Sequence, residues 1–514
     1  MGTRALDLIF SPKSLALVGA SPRPGSSGRA LFDNIIEAGF KGEISLVNPR
    51  YEDIDGRPCV RTLSDLASPP DLLVMAAPAE HAAAQVEEAE RLGVPGAVVM
   101  TRDPAGWRGG ELTERLKKVA QRRRMRIVGP NCLGMLVPKA GLNASLSAQS
   151  APAGDLAVVS QSGAIGSALL AWAQNRSVGF SGLVSAGEMV DVDFGDLLDY
   201  FALDVGTRAI LLYIDRLEDP QKFMSAARAA ARVKPVIVVK SGRHKRGPRG
   251  GSSVANMAGP DTVYDAAFRR AGLLRVPDVD ELFEAAEALG RIKPFPGNRL
   301  AIISNGGGLG RLAADRLADQ RGRLAPIEPA TWGKLDGVVP PDLAKENPLD
   351  IDGDAEPARF KSVVGALLDD KTTDAVMVMH APSALSRSLE AAQAVVEAVK
   401  EARKRTLSPK PVFAVWFGAT EETDNVFEAA RIPHYQSGAV RGFMHMVRWN
   451  EAREFMMSTP PNLPEDFEPD VERARSVVKQ AIERGHRWLA PVEMTMLLDA
   501  YDIPVAPARF AKTP

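Results

Sequence analysis

The residues of this chain whose types and spacing could do chemistry lie in loops that follow short apolar runs. Gly19-Ala20-Ser21-Pro22-Arg23-Pro24-Gly25-Ser26-Ser27-Gly28 closes the first run and precedes a helical stretch at 29–38. A glycine-rich turn there lets backbone N–H groups and a helix N-terminus face a phosphate, as a relaxed relative of G-x-G-x-x-G. Alone it is weak, because a tight turn without a ligand has the same composition. The next run ends in Val47-Asn48-Pro49-Arg50-Tyr51. An NAD site would place an acidic residue there, about 20 residues beyond the glycines, to hold the ribose hydroxyls. Here an arginine follows instead. That suits a ribose carrying an extra phosphate, as in NADP or the 3′-phospho-ADP of coenzyme A; the bland alternative is a solvated Arg50.

A third loop, Gly129-Pro130-Asn131-Cys132-Leu133-Gly134, favours coenzyme A. At the carboxyl end of a strand it could hold an acyl thioester while its N–H groups polarise the carbonyl. The candidates are then Gly19, Ser21 and Arg23 for the pyrophosphate and Asn48, Pro49 and Arg50 for the adenosine end. Pro78 and Thr101, after the third and fourth runs, would line the pantetheine path, with Asn131 near the thioester. Cys132 is a poor nucleophile, since no histidine lies nearby in sequence and a free cysteine is usually structural. Ser160-Gln161-Ser162-Gly163 opens a helix and is a phosphate-site candidate on physical grounds. Ser304-Asn305-Gly306-Gly307-Gly308 shares that pattern but is read as serving packing and domain contacts. The run 121–126, rich in arginine, is read as a solvated helix end.

These loops need strands to carry them. The apolar runs 15–19, 44–47, 72–76, 96–100 and 126–128 are rich in Val, Ile and Leu, and helix-length amphipathic stretches separate them. Buried strands alternating with helices imply parallel β-α units. The rhythm restarts at Leu156, 141 positions after Leu15, and again at Leu300, 144 positions after Leu156. The fold class is therefore α/β, a Rossmann-like domain followed by two flavodoxin-like domains. The expected boundaries are 1–138, 150–292 and 298–457, and a linker helix and one further helix occupy 465–514. Prolines at 294 and 296, and at 460, 461 and 464, mark the two linkers.

Composition narrows the function classes. The 514 residues suit roughly three to four domains, with 45% hydrophobic and 25% charged residues. Lys plus Arg number 63 and Asp plus Glu 64, so neither phosphate steering nor a polybasic anchor is built into the total. Nucleic acid and membrane surfaces are thus not expected partners. Two cysteines, Cys59 and Cys132, exclude a disulfide scaffold and a four-thiolate zinc site, and suit a reducing cytoplasm. No metal site is expected.

Read together and in this order, the loops above resemble the NDP-forming acyl-CoA synthetases, the superfamily that includes succinyl-CoA synthetase. So do Asp191-Val192-Asp193, Tyr264-Asp265-Ala266-Ala267-Phe268, residues 271–276 and Asn347-Pro348-Leu349-Asp350. The likeness spans essentially the whole chain. It implies a CoA-binding domain followed by two ligase-type domains and commonly a homo-oligomer. It also implies that an ATP-grasp domain normally follows, its truncated start visible at 489–507, with ATP or ADP involved only through such a partner. In that family a histidine on a mobile loop carries phosphate, because imidazole is nucleophilic near neutral pH and its phosphoramidate is labile. Ser253 stands at the histidine's position, Asp215 at a family glutamate, and Gly187-Glu188 where Gly-Asn is usual. His244 falls several residues too early to replace the lost group.

The stretches 187–193, 211–213, 256–259 and 443–447 are similar to a narrower group, bacterial protein-lysine acetyltransferases with a synthetase-like region joined to a GNAT domain. That resemblance implies an acetyl-CoA-sensing regulatory part; no GNAT pyrophosphate loop is visible here. The alternative is an active acetate–CoA ligase (ADP-forming) α-part working with an ATP-grasp partner. An NADP-dependent oxidoreductase would leave the second and third domains unexplained.

Overall fold

The computed structural model describes residues 6–105, 110–174, 178–243, 261–291, 295–435, 438–458, 468–486 and 488–506. The chain forms two compact units, Met1–Met457 and Ser458–Pro514.

The first sheet contains β1 (Ser14–Val18), β2 (Glu43–Val47), β3 (Asp53–Ile54), β4 (Arg57–Val60), β5 (Leu72–Met75), β6 (Gly96–Val99) and β7 (Arg126–Val128), in the order β3-β4-β2-β1-β5-β6-β7. β5 and β6 are buried at every position, as a parallel strand covered by helices on both faces must be. The five expected runs are β1, β2, β5, β6 and β7, all parallel. The β3–β4 hairpin was not expected; Asp55-Gly56 turns it, both at positive φ, and an Asp-Gly pair is its sequence signal.

The second sheet contains β8 (Gly134–Val137), β9 (Leu142–Ser145), β10 (Ala153–Ser160), β11 (Phe180–Ser185), β12 (Ala209–Ile214), β13 (Val236–Lys240) and β14 (Leu274–Val276), in the order β14-β13-β12-β10-β11-β8-β9. β10 to β14 are parallel, and β8 runs antiparallel to β11, with Met135 opposite Val184. The boundary expected at 138 therefore falls just after a strand of the second sheet, inside the β8–β9 hairpin.

The third sheet contains β15 (Arg299–Ser304), β16 (Arg323–Leu324), β17 (Leu349–Asp350), β18 (Ala375–His380), β19 (Val412–Trp416) and β20 (His434–Tyr435), all parallel. One continuous core joins it to the second layer, where the helices Val279–Arg291 and Ala439–Met457 pack together around Phe283 and Phe443. In the second unit, Asp470 caps the helix Val471–Glu483 and Arg473 pairs with Asp499 of the helix Pro491–Asp499 at 3.0 Å.

Arg126 corrects the reading of 121–126 as a solvated end. It begins β7, and its guanidinium meets Asp191 at 2.9 Å and Asp196 at 3.1 Å, both from the second layer. Asp191 also accepts from the amide of Ile127 at 2.8 Å. This buried cluster, completed by Lys222 on Asp193 and Asp196, clamps the first sheet to the second.

Candidate functional site

Strand register lines up the loops of the first sheet. Val18 lies beside Val47 and Met75, Met75 beside Val99, and Val98 beside Val128. Gly19, Asn48, Ala76, Met100 and Pro130 therefore form one row at the carboxyl edge, where a doubly wound sheet binds its ligands. The order reverses direction at β1 and β5, so the crevice opens between the Gly19 loop and the loop after Met75.

Glycine is required twice in that crevice. Gly19 has φ +89°, and a Cβ on it would stand 2.8 Å from the Ala77 nitrogen. A Cβ on Gly28 would stand 1.9 Å from the Gly19 carbonyl oxygen. The helix Ser27–Glu37 thus begins directly on the strand end. Ser26 caps it by accepting from the Arg29 amide at 3.2 Å. The amides of Ser27 and Gly28 have no partner among the described residues. Such a helix start is a cradle of the kind that can face a phosphate anion.

Other candidates in this loop also make contacts within the protein. Ser21 is buried, and its hydroxyl accepts from the Arg23 amide at 3.2 Å, shaping the turn. Asn48 donates to the Ala20 carbonyl at 2.7 Å and accepts from the Arg50 amide at 2.9 Å, so it braces the β1 and β2 loops together. Arg23, Pro49, Arg50 and Pro78 are exposed around the rim. Neither arginine makes an ion pair among the described residues.

A hydrogen-bonded path leaves this crevice. Thr101 donates to the Ala77 carbonyl at 2.8 Å, and the Asn131 amide donates to the Thr101 carbonyl at 3.1 Å. Asn131, at φ +55°, donates through Nδ2 to Glu188 at 3.3 Å. Because β8 runs antiparallel to β11, residues 129–133 arrive at the carboxyl end of β11. They therefore bridge the carboxyl edges of both sheets. Gly187 fits against them, since a Cβ there would stand 2.2 Å from the Pro130 carbonyl oxygen.

Glu188 is the carboxylate at this junction. It is 8% exposed and accepts from Thr113 at 3.1 Å as well as from Asn131. Burial pushes its carboxyl above the usual range, against those hydrogen bonds and Arg216, so it keeps its proton to higher pH than a solvated glutamate. Cys132 is buried, donates to the Val99 carbonyl at 3.3 Å and is pushed up to about 12 by burial. It is an inert packing thiol at neutral pH.

The helix Gly163–Gln174 starts beside the same loop, with a Cβ on Gly163 placed 3.3 Å from that of Leu133. Ser160 and Ser162 spend their hydroxyls on the turn: Ser160 donates to the Ser162 carbonyl at 2.8 Å, and Ser162 accepts from Ile165 at 3.4 Å. Gln161 accepts from the amides of Asp215 and Arg216, both at 2.9 Å. Its Nε2 is buried with no partner among the described residues. Asp215 is exposed at the tip of β12 and accepts from Ser241 at 2.7 Å. Beside it Lys240 is buried, with its ammonium 4.6 Å from the Tyr264 ring centroid, and burial lowers its pKa.

Tertiary structure thus gathers Gly19, Thr101, Asn131, Ser162 and Gly163 along one connected rim. Ser253 and His244 lie outside the described residues. Sequence reasoning noted Glu188 only as a departure from a motif and passed over Lys240; a charged residue closing a buried strand was the available signal. Among the described residues, no group of three His, Cys, Asp or Glu side chains could hold a metal ion, and no helix is long and apolar enough to cross a membrane.

Comparison with known proteins follows these layers. Residues 13–138 match a CoA binding domain, 153–289 a succinyl-CoA ligase like flavodoxin domain and 300–442 a Ligase-CoA domain. The acetate–CoA ligase [ADP-forming] I of Archaeoglobus fulgidus is 35% identical over 99% of this chain and 72% of its own length. The chain belongs to the succinyl-CoA ligase-like family of NDP-forming acetyl-CoA synthetases. The α subunit of acetate–CoA ligase [ADP-forming] I from Pyrococcus furiosus, a further member, is 31% identical over 87% of this chain and 98% of its own length. A dinucleotide-forming acetyl-coenzyme A synthetase from Ca. Korarchaeum cryptofilum, solved with phosphate and ADP, superposes with a TM-score of 0.78 at 30% identity, covering 88% of this chain and 99% of that one.

In a member of this family the cradle geometry fits coenzyme A. The free amides of Ser27 and Gly28 with Arg23 would hold the pyrophosphate, and Arg50 the ribose phosphate. The thioester would supply the reactive carbonyl. Asn131 and Glu188 stand where the path from the cradle ends.

Proposed function

We propose that this chain binds coenzyme A or a short acyl-CoA as a sensor and does not relay phosphate. The observation that supports this reading is Ser253, which the sequence aligns with the position of the family's phosphohistidine, in a chain whose residues 13–138 match a CoA binding domain. A serine hydroxyl cannot form the labile phosphoramidate on which the relay depends. The chain would then regulate an acetyltransferase, joined to it or separate, according to acetyl-CoA supply. The exposed Arg23 and Arg50 give the rim its charge, and each charge-assisted contact to phosphate is worth roughly 1.5–3 kcal/mol.

Titration calorimetry should therefore show acetyl-CoA binding that weakens at least about tenfold in Arg23→Ala. Arg50→Ala should weaken acetyl-CoA by a similar factor and leave 3′-dephospho-CoA unchanged. Tighter binding of NADP than of acetyl-CoA would overturn the ligand assignment.

A second reading, an active acetate–CoA ligase (ADP-forming) α-part working with an ATP-grasp partner, is favoured by the relatives at 31–35% identity. The two separate on one measurement. Incubated with labelled ATP and the ATP-grasp subunit of a relative, the sensor should carry no acid-labile phosphate. A phosphoramidate mapped to His244 would restore the ligase.

A further inference from the structure

The second and third layers are repeats offset by 144 positions, from Ser160 to Ser304, and the offset exposes one substitution. In the second layer the helices Gly163–Gln174 and Val279–Arg291 cover one face of the sheet. The gap between them is closed by Trp172 stacked on Phe283, ring centroids 3.5 Å apart and planes within 10°. The corresponding helices of the third layer are Gly307–Asp319 and Ala439–Met457. The residue 144 positions after Trp172 is Arg316. No indole stands there, and a cavity of about 370 Å³ remains between the helices.

Its chemistry is two-sided. Leu312, Met377, Met379, Val415 and Phe417 form an apolar wall, and Arg441 and the solvent-exposed Arg316 are the two cationic residues of the lining. Leu312 is 63% exposed, an aliphatic side chain left open on a helix whose neighbours pack. Arg441 donates to Glu284 at 2.8 Å and keeps its Nε buried without a partner among the described residues. Arg316 makes no ion pair among the described residues. Glu284 already balances one of the two cations, so the charge left over matches a single negative charge rather than a phosphate dianion. The volume is in the lower part of the range of roughly 300–1,000 Å³ for small-molecule sites, which are typically apolar with a few placed polar groups.

We propose that this cavity binds an aromatic monocarboxylate. The sister gap already accepts a flat aromatic ring, which sets the shape, and the free guanidinium of Arg316 sets the carboxylate. Methionines adapt to such a ring with favourable sulfur contacts. None of these residues belongs to the CoA crevice, so the site stands whether or not the chain senses acyl-CoA.

Fluorine NMR titration of the whole chain with 4-fluorophenylacetate tests it. Saturable shift or broadening of the probe is expected, with acetate a poor competitor because it leaves the apolar wall bare. Arg316→Trp rebuilds the plug of the second layer and should abolish binding. Arg316→Met keeps the space, removes the charge and should weaken binding about tenfold. Arg23→Ala should leave the probe's affinity unchanged, and a loss there would place the probe in the CoA crevice and overturn the assignment. Circular dichroism and thermal melting check that each variant folds. Failure of the wild-type chain to bind, or full binding by a folded Arg316→Trp, also defeats the proposal. A change of sedimentation alone in Arg316→Trp would assign the cavity to a second copy of the chain instead.

Discussion

Gly28→Ala should lose acetyl-CoA binding by at least about 100-fold in Kd, the equivalent of two amide–phosphate hydrogen bonds at roughly 1.5–3 kcal/mol each. The added methyl would stand 1.9 Å from the Gly19 carbonyl oxygen, a backbone atom with nowhere to rotate. The helix Ser27–Glu37 must therefore back away from β1, carrying the free amides of Ser27 and Gly28 with it. Overpacking of this kind also costs about 1–3 kcal/mol of stability. A fair control is Gly308→Ala, the second residue of the equivalent helix in the third layer, where an added Cβ meets nothing within 4 Å. That variant should match or exceed the parent in melting temperature. Calorimetry and denaturation on both variants check the pair; wild-type affinity in Gly28→Ala would mean that the cradle is not the phosphate site.

Arg126→Met should destabilise the first unit by about 3–5 kcal/mol, the usual cost of stranding buried carboxylates by removing their partner. Asp196 is 5% exposed, and Arg126 and Lys222 are its two cations. Burial by itself would raise the Asp196 pKa, but Lys222 and Arg126 more than offset it and hold it below the ordinary value. A depressed folded pKa contributes stability that is present above the unfolded value of about 3.9 and lost as pH falls through the folded one. Removing Arg126 raises that folded value, so the acid limb of unfolding should move to higher pH. Urea titrations across pH 3–7 would show it. A variant with an unmoved acid limb would mean that Lys222 alone sets the charge on Asp196.

Much of the fold was legible because its strands are short, continuously apolar and spaced by helices. Parallel strands buried on both faces leave that pattern in any order of reading. Where a strand is two residues long, as at Leu349–Asp350, or turned by Asp55-Gly56, the apolar signal is too brief to stand out. Arg126 misled for a different reason. Its neighbours Arg122, Arg123 and Arg124 are solvent-exposed, and composition cannot show that the fourth arginine of the run turns inward toward Asp191.

The three β-α layers and the glycine-rich turn at Gly19 were legible in the residues alone, because each is local: a run, a spacing, a residue type. The sequence could not show that Asn48 and Ser21 spend their polar atoms on the loop, or that Asn131, Glu188 and the Ser162 helix end share one junction. That junction exists because β8 pairs antiparallel with β11 and turns residues 129–133 into a bridge between two carboxyl edges. Pairing between strands distant in sequence is set by the free energy of the packed whole, and only the tertiary structure records it.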